Sequence, residues 1–112
     1  MTVNIDRFLP TPPVQALSIK EVLFRLKINL QTANRDFAKY PNATRWTVQA
    51  RCAFVYQQAF YFFGAVSRTE AEKTACLQAL IAEPNGNWGD VICQHALGMP
   101  LAPALREFAN CP

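Results

Sequence analysis

Residues 19–40 read IKEVLFRLKINLQTANRDFAKY, and their apolar side chains recur at alternating intervals of four and three residues. This spacing places those side chains on one side of an α-helix, and such a stripe packs along another helix. The stretch therefore predicts a fold organised by helix–helix packing. The stripe consists of Ile19, Leu23, Leu26, Leu30, Ala33, Phe37 and Tyr40.

The limits of this first helix are marked by local signals. Ser18 and Glu21 have the spacing of a capping box, and Pro41 ends the helix because the residue before a proline avoids the α conformation. Three heptads are short for a coiled coil. Phe24 and Ile28 lie off the stripe, where a two-stranded coil would leave both exposed. The stripe is therefore interpreted as one wall of an intramolecular bundle.

A second long helix is predicted over residues 45–65, with Asn42 or Thr44 as its N-cap. Its apolar residues cover most sides, as expected for a helix surrounded by others. The runs 54–56 and 60–63 also suit a β-strand, so a mixed α/β fold is the alternative. The apolar surface of this helix exceeds what a small bundle covers, and the surplus predicts a dimer face or a partner site.

A third helix is predicted to end near Ala82, with Ser67 and Glu70 forming a second capping box at its start. Its small apolar residues allow a close helix crossing.

Short helices are predicted in the C-terminal part. Residues 84–89 form a Gly/Asn-rich loop that contains Trp88. Asp90 is expected to cap a helix over 91–97 that Gly98 closes, and a final helix is expected over 103–109.

The N-terminal residues 1–17 contain Pro10, Pro12 and Pro13 and predict an extended arm. Apolar side chains could pin the arm to the domain or to a partner: Val3, Ile5, Phe8 and Leu9. The predicted fold class is all-α: a small bundle of three long helices plus one or two short C-terminal helices, with residues 18–112 as a single domain.

The formal net charge of +3 is unevenly distributed. Residues 1–60 carry eight Lys/Arg and three Asp/Glu, whereas residues 61–112 carry three and five. This asymmetry predicts a basic face on the N-terminal half, suited to nucleic acid or to an acidic protein surface. The alternative interpretation is an ordinary solvated face.

The sequence predicts a cytoplasmic protein that does not insert into membranes. The first residues lack the basic and apolar regions of a signal peptide, and no run of about 18 apolar residues occurs. Cys52, Cys76, Cys93 and Cys111 form no C-x-x-C pair, so they are predicted to be free thiols rather than zinc ligands.

No catalytic motif can be assembled from the residues. His95 is the single histidine, and Cys93 lies two positions away, on a different face of a helix. Signatures of phosphate-binding loops, zinc proteases and serine hydrolases are absent. The sequence therefore predicts a protein that is not an enzyme and that binds neither a cofactor nor a metal.

The predicted function is a small adaptor, inhibitor or accessory factor that binds and occludes a partner protein. By analogy, such modules are common among bacterial, phage and plasmid proteins. The alternative is a dimeric nucleic-acid-binding regulator that uses the basic face of the first two helices. Trp88 is either a binding anchor or a cap on the bundle. The candidate partner-binding residues are Arg25, Lys27, Arg35, Lys39, Arg45 and Trp88.

Overall fold

The computed structural model describes residues 17–109. Within this range all regular structure is helical, which confirms the all-α class over the mixed alternative. The predicted N-terminal arm, apart from Leu17, and the prediction for Cys111 lie outside the described residues. The helices are α1 (Ile19–Lys39), α2 (Ala43–Gly64), α3 (Glu70–Ala82), α4 (Trp88–Leu97) and α5 (Leu101–Ala109).

The helix α2 is the centre of the fold. It packs against α1, α4 and α5, while α3 packs against α4. The buried side chains of α2 are Phe54, Val55, Ala59, Phe62 and Phe63, and all but Phe54 belong to the same core cluster as Val22 of α1. Helix α2 was predicted to be central because it is apolar on most sides, and the structure confirms this placement.

The ends of α1 and α2 follow their capping residues. The Ser18 hydroxyl accepts a hydrogen bond from the Glu21 amide at 3.1 Å. Asn42, rather than Thr44, caps α2, and its side-chain oxygen accepts from the Arg45 amide at 2.8 Å. Each cap satisfies an amide that has no partner within the helix.

The buried stripe of α1 differs in detail from the predicted one. Val22 is fully buried, although it lies outside the four–three pattern, and Leu26 and Ala33 are buried as predicted. Tyr40 is exposed because α1 ends before it, at Lys39.

The start of α3 was predicted two residues too early. Thr69 and Glu72, not Ser67 and Glu70, form the capping box: the Thr69 hydroxyl accepts from the Glu72 amide at 3.1 Å, and the Glu72 carboxylate accepts from the Thr69 amide at 2.8 Å. These contacts and the nearby Arg68 lower the pKa of Glu72. Both residue pairs have the same spacing, so the local pattern alone does not choose between them.

Asp90 caps a different helix from the predicted one. It lies inside the first turn of α4, and its carboxylate accepts from the Leu101 amide at 2.8 Å. This bond helps to start α5 at Leu101 rather than at Pro103. Gly98 ends α4 as predicted, with a left-handed φ of 77° that glycine adopts without strain.

The α1–α2 pair extends beyond the core as a two-helix arm. The molecule measures 61 × 36 × 20 Å, and its smallest dimension equals about two helix diameters. The buried apolar side chains form a main core cluster around Val55 and a smaller one around Phe54. Neither cluster, nor any apolar side chain packed against it, includes residues 27–53. We call residues 30–50 the hairpin arm and residues 38–48, all of which are exposed, the hairpin tip. Contacts between α1 and α2 hold the arm together, such as the 2.6 Å hydrogen bond from Gln49 to Asn34.

Two cysteines belong to the core. Cys76 and Cys93 are fully buried, and burial raises the pKa of each thiol to about 11, with Asp90 adding to the effect at Cys93. Cys52 is half-buried, and burial raises its pKa to a smaller extent. None of these three described cysteines is in a disulfide. Among the described residues, no helix has the length and apolarity needed to cross a bilayer.

The capping box of α3 predicts unequal effects of two similar substitutions. Thr69→Ala should lower the free energy of unfolding by about 1 kcal/mol, because it removes the cap. Ser67→Ala is the matched control and should change the free energy by less than about 0.5 kcal/mol. Urea denaturation followed by circular dichroism measures both values. Equal effects of the two substitutions would contradict the assigned start of α3.

The raised thiol pKa values predict that the folded protein resists alkylation. At pH 8 a thiol with a pKa of about 11 is ionised in roughly one molecule per thousand, and only the thiolate reacts. Iodoacetamide followed by peptide mass spectrometry should modify Cys52 before Cys76 and Cys93. In urea all three should react at similar rates.

Since the unfolded thiols ionise near their usual pKa of 9.0, whereas those of folded Cys76 and Cys93 have a pKa of about 11, the free energy of unfolding should fall as the pH rises above 9.0.

Candidate protein-binding surface

Trp88 is the first residue of α4. The sequence pattern had placed it in the preceding loop. Gly86, with a φ of 66°, turns the chain just before it. The indole is half-buried and packs against the main core cluster, while part of it stays accessible on the α1 side. Trp88 therefore joins the core and also contributes to a surface.

Arg25 covers part of the Trp88 ring. Its guanidinium carbon lies 5.6 Å from the ring centroid, within the range of a cation–π interaction. The same guanidinium donates a 3.0 Å hydrogen bond to the Glu21 carboxylate. Both side chains of this ion pair are about half exposed, and exposed pairs of this kind contribute little stability. Arg25 can therefore exchange Glu21 for a carboxylate of a partner at low cost.

A groove separates α1 from Trp88 and encloses about 420 Å³. Phe24 and Ile28 form its α1 wall and are 61% and 42% exposed. They lie one helical turn apart, so their side chains are neighbours. We call this feature the Trp88 groove. It is lined by Phe24, Arg25, Ile28, Asn29, Gly86 and Trp88.

A smaller cavity of about 190 Å³ adjoins the groove. Asn29, Gly86 and Trp88 line both spaces, so the two adjoin at these residues. Leu26 and Val55 of the core line the inner cavity. The groove thus leads toward the core and suits the insertion of an apolar side chain.

The surroundings of the groove are basic. Lys20 lies one helical turn before Phe24 and Lys27 lies one turn after it, and both are exposed. Arg25 lines the groove itself, so this part of α1 carries three cations and one acid, Glu21. The charge distribution favours an acidic partner.

The hairpin tip forms a second exposed surface. Two cations lie near the exposed Tyr40 ring, with Lys39 Nζ at 5.4 Å and the Arg45 guanidinium carbon at 5.2 Å from its centroid. Arg35 is exposed one turn before Lys39. This arrangement combines positive charge with an accessible aromatic ring at the end of the hairpin arm.

The predicted binding residues thus divide between two places. Arg25 and Trp88 are in contact at the groove, with Lys27 beside it on the outer side of α1. Lys39 and Arg45 meet at Tyr40. Arg25 and Lys39 are separated by about 21 Å along the axis of α1, and Arg35 lies between them, exposed on the same helix.

Phe24 and Ile28 were missed as site residues because they lie off the apolar stripe of α1. Their spacing was the signal available in the sequence. Two apolar residues one turn apart on the outer side of a helix are typical of a contact surface. Tyr40 was assigned to the stripe, yet it lies at the tip. The position of the groove also depends on the path of the chain through Gly86, which no local pattern indicates.

The single histidine of the sequence does not line the Trp88 groove. His95 is half-buried beside the Phe62 ring, with ring centroids 6.5 Å apart. Within residues 17–109 no three His, Cys, Asp or Glu side chains are grouped as metal ligands would be.

Comparisons with known proteins add no assignment. No family model, curated protein or solved structure matches the chain.

Proposed function

We propose that the protein is a non-enzymatic interaction module that binds a partner protein through the Trp88 groove and blocks the surface that it covers. The observation that carries this proposal is the apolar groove between α1 and Trp88, which Arg25 lines. Aromatic and arginine residues in partly enclosed sites are the usual energetic centres of protein interfaces.

The groove specifies the chemistry of the partner. A single apolar side chain fits between Phe24 and Trp88, and a carboxylate next to it can pair with Arg25 in place of Glu21. An acidic amphipathic helix supplies both groups on one side, with the apolar anchor and the acid one turn apart. We therefore propose an acidic helical segment as the partner element.

The groove is tested by placing a negative charge in its wall. Phe24→Asp should weaken partner binding by roughly 30-fold or more, because it removes an anchor contact worth about 2 kcal/mol and repels an acidic partner. Val66→Asp is the control, since Val66 is fully exposed in the α2–α3 connection and lies outside the groove.

The measurement begins with affinity capture from the source organism, using the wild type and both variants. Captured proteins are quantified by mass spectrometry, and direct binding of the purified partner is measured by calorimetry. Circular dichroism establishes that each variant is folded. Equal capture by the Phe24→Asp and Val66→Asp variants would exclude the groove, and the absence of any specific protein would reject the interaction module.

A nucleic-acid-binding function is the second candidate, and the hairpin tip is the observation that favours it. The Lys39 and Arg45 cations can contact phosphates, while the exposed Tyr40 ring can stack on an unpaired base. With Arg35, the tip offers about three phosphate contacts, which gives a slope of about −2 to −3 for log K against log salt.

Charge removal at the tip tests this second candidate. Lys39→Gln with Arg45→Gln should abolish most binding of a fluorescent strand of about 20 nucleotides at low salt and reduce the salt slope by about 2. Lys20→Gln with Lys27→Gln removes the same charge near the groove and should leave binding nearly unchanged. Fluorescence anisotropy across a salt series gives both values. Equal losses in the two double variants would indicate non-specific attraction.

A further inference from the structure

The outer side of α2, opposite its core contacts, carries no charged residue. Helix α2 contains two charged residues, Arg45 and Arg51, and helical geometry places neither on this side. We call this surface the α2 outer face. Its residues are spaced at helical intervals: Trp46, Ala50, Ala53, Gln57, Phe60 and Tyr61.

The aromatic side chains of the α2 outer face are accessible. Trp46, Phe60 and Tyr61 are 58%, 53% and 61% exposed. Helices α1, α4 and α5 contact other sides of α2, where Val55 and Phe62 are buried. Within the described residues, this face is an apolar surface about 22 Å long, since α2 rises about 1.5 Å per residue.

The order of large and small residues makes the face complementary to itself. Trp46 and Phe60 each lie seven residues from Ala53, about 10 Å along the axis. If two copies of α2 cross antiparallel at Ala53, Trp46 of each copy meets Phe60 and Tyr61 of the other. Ala50 and Ala53 then lie at the crossing, where small side chains allow the two helices to approach closely.

The geometry points to a second copy of this chain as the occupant, bound by a twofold axis through Ala53. Because the chain carries a net charge of +3, two copies repel each other wherever their basic surfaces meet. The α2 outer face avoids this repulsion and offers no charge for an acidic or basic partner to recognise. A twofold contact requires the same surface on both molecules, and this face meets that requirement.

The buried area is sufficient for a dimer. An aromatic side chain buries about 150–250 Å² when it is covered completely. Three half-exposed aromatic residues on each copy, with the alanine and glutamine surface between them, give on the order of 1,000 Å² in total, the lower limit for a specific interface. A further half-exposed aromatic residue, Phe108, lies on the neighbouring helix α5 and is not counted in this area. Its ring packs edge-on against Phe54, with the ring centroids 5.1 Å apart. An interface of this small area implies weak association, so the fraction of dimer should rise with protein concentration.

A charge at the centre of the face tests the dimer. Sedimentation equilibrium of the full chain between about 10 μM and 1 mM should show the mass rising from 12.6 kDa toward twice that value. Ala53→Arg should weaken association by roughly tenfold or more, because two guanidinium groups would face each other at the axis. Ala38→Arg, an exposed alanine on α1, is the matched control and should behave as the wild type. A wild type that stays monomeric at about 1 mM, or equal association of both variants, overturns the proposal.

Cross-linking tests the symmetry independently. In a Cys52→Ser background, Ala53→Cys should form a disulfide between the two copies of position 53, identified by peptide mass spectrometry under mild oxidation. Ala38→Cys in the same background should not cross-link at a comparable rate. A dimer that dissociates in the Ala53→Arg variant but gives no disulfide between the two introduced thiols overturns the twofold axis through Ala53. If the thiol introduced by Ala53→Cys is protected from alkylation in a monomeric protein, another part of the chain covers the face, and this also overturns the proposal.

Discussion

The position of α2 between α1, α4 and α5 constrains the rest of the structure. Its core side chains, Phe54, Val55, Ala59, Phe62 and Phe63, bury apolar area on one half of the helix, and this burial is the main driving force that holds the other helices in place. Helix α3 is attached through α4 instead. Because a single helix has a limited circumference, three neighbours leave one strip of α2 uncovered, and in this sequence that strip is also apolar.

Contacts remote in sequence join the shorter helices to this centre. Arg68 donates a 2.9 Å hydrogen bond to the Ala96 carbonyl and lies 4.8 Å above the Phe62 ring, so it ties the α2–α3 connection to the end of α4. Asp90 connects α4 to the first amide of α5. At Gly89 an added Cβ would lie 3.1 Å from Leu101 and 3.2 Å from Val55, and the absence of a side chain there allows α2, α4 and α5 to meet closely.

The sequence predicts the local features of this fold better than its remote ones. Ser18, Pro41 and Gly98 act within one helical turn of their positions, and the helix limits that they predict are confirmed within about two residues. The start of α3 was misplaced because two capping patterns overlap there. The role of Asp90 depends on Leu101, eleven positions away, which no local pattern reveals. For the same reason, Arg25 and Trp88 were selected separately as candidates, whereas their contact and the groove beside Phe24 required the tertiary structure.

The hairpin arm has a consequence for how the protein opens. On the α1 side of the arm Ala33 is buried and Phe37 is half-buried, and neither core cluster reaches the arm. Fraying that begins at Tyr40 can therefore proceed toward the core without disturbing Val55 or Ala59. Local stability should decrease along the arm, so amide hydrogens near the tip exchange with solvent through partial opening, while those near the core require global unfolding. The exposed cations at the tip thus lie where the free energy of opening is lowest within the arm.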